Sequence, residues 1–309
     1  MTIPKIRIAT RKSRLALWQA EFVKAQLQRL HPELIVEVVG MTTSGDRQLS
    51  QPLSEIGGKG LFIKELETAM RDGRADIAVH SMKDVPSELP AGFTLPVIGF
   101  RAEVRDVLVS RDAGSIAELP LGACVGSSSL RRQAQLLARR RDLVVRPVRG
   151  NVNTRLDKLD AGEFDALLLA GAGLQRLGLA DRIREFLSLE ESLPAAGQGA
   201  LGIECLEGHP DLLALLAPLN DLSVARCVTA ERAVSRSLGA DCSLPIAAYA
   251  SEIGGQLNLT ALLASSDGKR IVRANVAGPS PEELGAAAAR QLRDQGADEI
   301  LRGLRGPAN

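Results

Sequence analysis

Up to about Gly202, short β-branched runs alternate with helical stretches, which restricts the chain to an α/β architecture with a mostly parallel sheet. The strand candidates are Lys5–Thr10, Leu34–Met41, Asp76–Ser81, Thr94–Phe100, Asp106–Arg111, Ala123–Gly126, Leu143–Val148 and Asp165–Ala170. Between them the clearest helix is Ser13–Leu30, where Leu15, Trp18, Phe22 and Ala25 share one face. Leu61–Gly73 is a second, with Gly73 as its C-cap. The strands fall into two units separated by a candidate hinge at Arg101–Arg105. From about Leu222 the pattern changes to a helix through Ala225–Leu238 and three strands joined by Gly254-Gly255 and Asp267-Gly268. A final helix, Pro281–Gln295, takes Ser280 as its cap, and the whole segment reads as a small α+β domain. Ser44–Lys59 lacks periodicity and reads as a mobile lid or surface loop.

Arginine recurs where strand turns into helix. Ile6–Thr10 runs into Arg11-Lys12-Ser13-Arg14, Cys124–Gly126 into Ser127-Ser128-Ser129-Leu130-Arg131-Arg132, and Val144–Val148 into Arg149–Arg155. A helix start presents unpaired N–H groups and partial positive charge, and guanidinium forks there make bidentate seats for carboxylate or phosphate. Three such seats predict a ligand with many negative groups.

The chain has 309 residues, enough for two or three domains. Its 38 basic and 37 acidic residues leave a net charge of +1, which argues against a nucleic-acid binder working through a broad basic face. One Trp, one Tyr and six Phe provide little for base stacking. Four cysteines without CxxC spacing and three histidines predict no metal site. The polar start and the lack of a long apolar run predict a soluble cytoplasmic protein with reduced thiols and no membrane span. Cys124, Cys205 and Cys227 lie in apolar patterns and read as buried, whereas Cys242 sits in a polar loop and reads as accessible.

Two motifs have competing readings. Gly197–Gly202 matches G-x-G-x-x-G, but no strand precedes it, so dinucleotide binding lacks its context. Asp84, in His80–Pro86 after the apolar Ile77-Ala78-Val79, reads either as a turn former or as a catalytic group at a strand end. A carboxylate beside Lys83 and several arginines suits the stabilisation of a developing cation better than proton donation. His80 reads as a hydrogen-bonded structural residue.

Taken together, IATRKSRLALWQA, TTSGD, GGKGLFIKELE, AVHSMKDVP, GSSSLRRQAQL, RGNVNTRLDKLD, AGLQRLG, AAGQGALGIE and ERAVSRSLGADCSLPIAAY run through almost the full length. In that order they resemble the hydroxymethylbilane synthases, also called porphobilinogen deaminases. The resemblance implies addition of four porphobilinogen units, with loss of ammonia, to a covalent dipyrromethane primer, and then hydrolytic release of the linear tetrapyrrole. It implies Cys242 as the thioether anchor and Asp84 as the carboxylate that contacts pyrrole N–H groups. It also implies Arg11, Ser13, Lys59, Ser81, Lys83, Ser127, Ser129, Arg131, Arg132, Arg149, Arg155 and Arg176 as seats for acetate and propionate groups, with Gln198 and Gly199 at the cleft or hinge. The implied fold is two similar α/β domains of the type II periplasmic-binding-protein kind (1–100 with 199–217, and 105–194) flanking a cleft. A third, α+β domain (222–309) with a three-stranded antiparallel sheet carries the cysteine, and the protein is expected to be a monomer. The chain departs from the family's usual small pair before the anchor, having Ala240-Asp241, and from a β-branched residue at Leu244.

Two rival readings remain open at this level. A solute-binding protein of two lobes would use the same arginines to hold an oxyanion, and a nucleic-acid binder would use Arg131–Arg141.

Overall fold

The computed structural model describes residues 3–44, 63–239 and 244–305. Its first sheet is built from β1 (Lys5–Arg11), β2 (Ile35–Met41), β3 (Ile77–Ser81), β4 (Phe93–Gly99) and β10 (Leu201–Leu206), in the order β2-β1-β3-β10-β4. A second sheet runs β7-β6-β8-β5-β9 from β5 (Asp106–Ser110), β6 (Cys124–Gly126), β7 (Val144–Arg146), β8 (Ala166–Ala170) and β9 (Glu185–Phe186). Helices α1 (Arg14–Leu30), α2 (Lys64–Arg71), α3 (Leu130–Arg139), α4 (Val152–Asp160), α5 (Gly171–Arg176) and α6 (Pro210–Leu216) connect these strands.

The sheets are mixed, contrary to the expectation of mostly parallel pairing. In the first, β1 is parallel to β2 and β3, while β10 is antiparallel to β3 and β4. In the second, β6 is parallel to β7 and β8, while β5 is antiparallel to β8 and β9. The cause is a reciprocal crossover. The chain leaves the first sheet after β4 and enters the second as its antiparallel strand β5. It returns after β9 as β10, wedged antiparallel between β3 and β4. Strand alternation alone carries no information about which strand is inserted where, and β10 starts only at the last two residues of the G-x-G-x-x-G match.

Those glycines serve close packing. Gly197 and Gly199 have φ of +72° and +86°, which side-chain-bearing residues avoid. A Cβ on Gly197 would lie 2.8 Å from Met82 Cβ, and one on Gly199 would lie 2.8 Å from the Ala102 carbonyl oxygen. The returning crossover is thereby pressed against the turn that follows β3.

Helix α1 buries Gln19, Ala20, Val23 and Leu27. The expected face of Leu15, Trp18, Phe22 and Ala25 is displaced: Ala25 is exposed, and Trp18 retains 36% exposure. The aromatic pair lies beside the crossover, with Trp18 stacked on Phe22 at 5.3 Å and Phe22 edge-on to Phe100 at 5.2 Å. Periodicity marked an apolar stripe correctly but could not tell core from inter-unit contact.

The third unit is an antiparallel meander of β11 (Ile246–Ile253), β12 (Gln256–Ala264) and β13 (Ile271–Gly278), with α7 (Leu222–Leu238) and α8 (Pro281–Asp294) against it. Helix α9 (Ala297–Arg305) follows. Helix α7 starts at Asp221, whose side chain accepts from the Val224 N–H, and stops at Gly239 in the left-handed region. Of the described cysteines Cys205 and Cys227 are buried as expected, but Cys124 is only half-buried, since β7 beside it is a short edge strand.

Candidate active site

The C-terminal ends of strands from both α/β units open on one cavity of about 90 Å³. The first unit contributes Leu15, Gln19, Ser81 and Lys83; the second contributes Arg132, Val152, Arg155 and Arg176; Gly199 of the crossover closes one side. Most of these side chains are delivered by a helix start or a strand end, while Arg176 closes its own short helix and Gln19 lies within α1. The hydroxyls of Ser13 and Ser129 accept hydrogen bonds from the Ala16 and Arg132 N–H groups, and the Asn151 side chain accepts from Thr154. Capping thus sets the first turns of α1, α3 and α4, so that Arg11, Arg132, Arg149 and Arg155 emerge at junctions rather than from mobile loops. Ser127 Oγ accepts from the Ser129 N–H at 3.2 Å, and Ser81 Oγ accepts from Gln19 Nε2 at 2.8 Å.

The three arginine-bearing junctions meet in space. Arg155 lies within electrostatic reach of Arg132, Asp84, Arg149 and Arg11. Burial first, and then the charge of Arg132, pulls its pKa down to about 10, while Asp84 opposes the shift. Lys83 is lowered to about 8 by burial and by Arg132, with Asp84 and Asp106 acting the other way. Burial alone lowers Arg176 to about 10. Among the described residues Lys83 has neither a hydrogen bond nor an ion pair, and the described partners of Arg155 and Arg176 are carbonyls and the Trp18 ring. Cations crowded into a partly dry cleft without carboxylate partners of their own match an anionic ligand.

Asp84 occupies a 3₁₀ turn, Met82–Asp84, directly after β3, and is exposed. The turn is pinned by the Met82 N–H, which donates to the Ala200 carbonyl at 3.0 Å, and by the Val85 N–H, which donates to the Met82 carbonyl. His80 is a structural residue as expected, its Nε2 2.8 Å from Glu204 Oε2 in the buried interior.

Sequence reasoning missed Asp106, the first residue of β5. It is fully buried and receives Arg131 on both oxygens, Arg132, the Ser192 hydroxyl and Gln198 Nε2. Burial would raise its pKa, but the two guanidiniums outweigh that and hold it well below the usual carboxylate range. A charged residue opening the apolar strand Val107-Leu108-Val109 was the available signal. Arg131 points into the base of the second unit, donating to Asp106 and to the Leu193 carbonyl at 2.5 Å; like Arg11, Ser13, Asp84, Ser127, Ser129 and Arg149 it is not among the residues that line the cavity. Arg132 does both, bonding Asp106 while facing the cavity. Gln198 is buried between Asp106 and the Val104 carbonyl, and the Gly199 carbonyl accepts from Arg176 and Ala102. Lys59 and Cys242 lie outside the described residues, as does most of Ser44–Lys59.

Residues 6–214 match the family model described as porphobilinogen deaminase, dipyromethane cofactor binding domain, and residues 225–294 match the corresponding C-terminal domain. The chain belongs to the porphobilinogen deaminase family. It is 57% identical over 301 residues to the porphobilinogen deaminase of Bordetella parapertussis, covering 97% of this chain and 96% of that one. The protein of that name from Chromobacterium violaceum is 55% identical, with 96% and 97% covered. Among solved structures, the second substrate binding domain of a putative amino acid ABC transporter from Streptococcus pneumoniae shares 13% identity, with a TM-score of 0.44 over 69% of this chain and 90% of that one. That likeness is too slight to bear on function. The family's dipyrromethane cofactor carries acetate and propionate side chains, and the cleft residues fit such a group. Among the described residues no carboxylate forms an ion pair with Lys83, Arg155 or Arg176, a partnership that the ligand's carboxylates would supply.

Removing the buried Asp106 charge leaves Arg131 and Arg132 unpaired in the interior. Asp106→Asn is therefore expected to destabilise the fold by about 3–5 kcal/mol at neutral pH in denaturant melts. Because the folded pKa lies below the unfolded one, this contribution is complete above about pH 4 and is lost only on strong acidification. A deficit under about 1 kcal/mol would show that the arginines find other partners.

Proposed function

We propose that the family's reaction runs in this cleft with Asp84 as its catalytic carboxylate and Cys242 as the covalent anchor. The reaction joins four porphobilinogen molecules head to tail on a dipyrromethane primer with loss of ammonia, and hydrolysis then releases hydroxymethylbilane. When bound, the dipyrromethane supplies the first nucleophilic pyrrole carbon. The reading divides the chain into domains 1–100 with 199–217, 105–194 and 222–309, working as a cytoplasmic monomer. No single helix among the described residues is long and apolar enough to cross a membrane. The net charge of +1 gives little reason to expect a nucleic-acid partner.

The observation that carries the assignment is Asp84's position. Among the described residues it is an acidic group that acts on both Lys83, from the first unit, and Arg155, from the second. Each porphobilinogen brings two carboxylates, and the cation set (Arg11, Lys83, Arg132, Arg149, Arg155 and Arg176, with Lys59 and the hydroxyls of Ser13, Ser81, Ser127 and Ser129) binds and orients them. The substrate's aminomethyl group, like a lysine with a pKa near ~10, arrives protonated. Departure of ammonia leaves positive charge on the pyrrole, and Asp84 directed at the ring N–H stabilises it as it develops. The same carboxylate then takes up the proton lost from the attacking pyrrole carbon.

Asp84→Asn is expected to keep the fold and lower kcat at least about 100-fold, read by ammonia release from porphobilinogen; near-normal turnover would overturn the assignment. Cys242→Ser is expected to abolish the added mass of the primer in intact-mass spectrometry, and an unchanged mass would remove the anchor from Cys242. Lys83 also sets a pH dependence. Its pKa of about 8 lies below the ordinary ~10.4, and a bound carboxylate favours the charged form, so binding takes up a proton above pH 8. KM for porphobilinogen should rise between about pH 8 and 10, and Lys83→Arg should flatten that rise. An identical profile in the variant would exclude Lys83 from carboxylate binding.

A further inference from the structure

The segment that follows Asp84, Val85-Pro86-Ser87, belongs to no strand or helix. Pro86 has no N–H, and the carbonyls here need donors from elsewhere. They find them on the third unit. Arg232, on α7, donates from Nη1 to the Val85 carbonyl at 3.0 Å and from Nη2 to the carbonyls of Pro86 and Ser87 at 2.6 and 3.3 Å. One guanidinium therefore grips three successive carbonyls, starting next to the catalytic carboxylate. Arg236, one turn later, adds a weaker bond to the Ser87 carbonyl at 3.5 Å and pairs with Glu282.

This arginine is only 8% exposed and has no carboxylate partner of its own among the described residues. Burial, and then repulsion from Arg236, lower its pKa to about 10, with Glu282 opposing. A buried guanidinium without a counter-ion costs stability, and an apolar residue on the same helix face would avoid that cost. The carbonyl grip gives the charge a use that packing does not. Two further facts give it a direction. On its other side the Asp84 turn is tied to the returning crossover through the Ala200 carbonyl, so Arg232 completes a two-sided clamp. Arg232 also sits on the helix that, in sequence, leads into Cys242.

We propose that Arg232 is a positioning residue that fixes the Asp84 turn to the helix preceding the anchor cysteine, keeping the carboxylate aligned with the reacting pyrrole. This rests on the assignment of Asp84 as the catalytic carboxylate. A displacement of the order of 1 Å at such a group costs up to about 100-fold in rate without a direct contact to substrate.

The test is a double-mutant cycle on the holoenzyme: wild type, Arg232→Gln, Asp84→Asn and the double variant, each read for kcat, KM, primer mass and Tm. Arg232→Gln is expected to lower kcat about 10- to 100-fold, with KM and primer mass unchanged, and to add no further loss in the Asp84→Asn background. Arg232→Lys, which keeps a charged donor for one carbonyl, should give an intermediate kcat, and it takes the place of the Gln variant in the cycle should that protein fail to fold. Wild-type kcat in Arg232→Gln, or the same fold-loss in both backgrounds, overturns the proposal. Near-normal turnover by Asp84→Asn alone would instead remove the assignment on which the proposal rests.

Discussion

Crowding of like charge is the constraint around which the two α/β units are arranged. Arg132 lowers the proton affinity of both Lys83 and Arg155, and water that would screen them is partly excluded. Repulsion of that kind pushes the cleft apart unless something opposes it. Asp106 does so from behind. As a buried carboxylate it binds the guanidinium of Arg132 on its inner side and leaves the outer side to the cavity. Arg131 binds the same carboxylate on both oxygens and links it to the Leu193 carbonyl. The crossover supplies the other tie, since Arg176 of the second unit donates to the Phe100 and Gly199 carbonyls.

Much of this was legible in the sequence, because the seats are local features. The junctions at Arg11, Arg132, Arg149 and Arg155 each follow a β-branched run and lie within a few residues of a helix N-cap, which the structure places at Ser13, Ser129 and Asn151. The Gly254-Gly255 hairpin is present, with φ of +58° and +78°. What was not legible was pairing at long range. Asp106 meets Arg131 across 25 residues and Ser192 across 86, and no local pattern announces either. The insertion of β10 between β3 and β4 is of the same kind. It turned a sheet expected to be mostly parallel into one that is half antiparallel, because strand direction depends on which sheet the chain returns to.

The G-x-G-x-x-G match shows why a motif needs its context. Its glycines are required by sterics in this fold as well, but the object they approach is the protein's own backbone at Met82 and Ala102. The same residues that would admit a pyrophosphate elsewhere here let a crossover lie flat against the Asp84 turn.

A cradle of cations by itself does not separate an enzyme from a solute-binding protein, for both must hold anions. On the proposed assignment, Asp84 separates them. Placed within reach of Lys83 and Arg155, a carboxylate competes with the ligand's own carboxylates and weakens their binding. A protein selected only for affinity gains by replacing it with a neutral residue of the same size. Its presence is accounted for when positive charge appears on the ligand in passing, as it does when ammonia leaves the aminomethyl carbon of a pyrrole. The interaction is then stronger in the transition state than in the bound ground state, and the affinity given up on binding returns as rate.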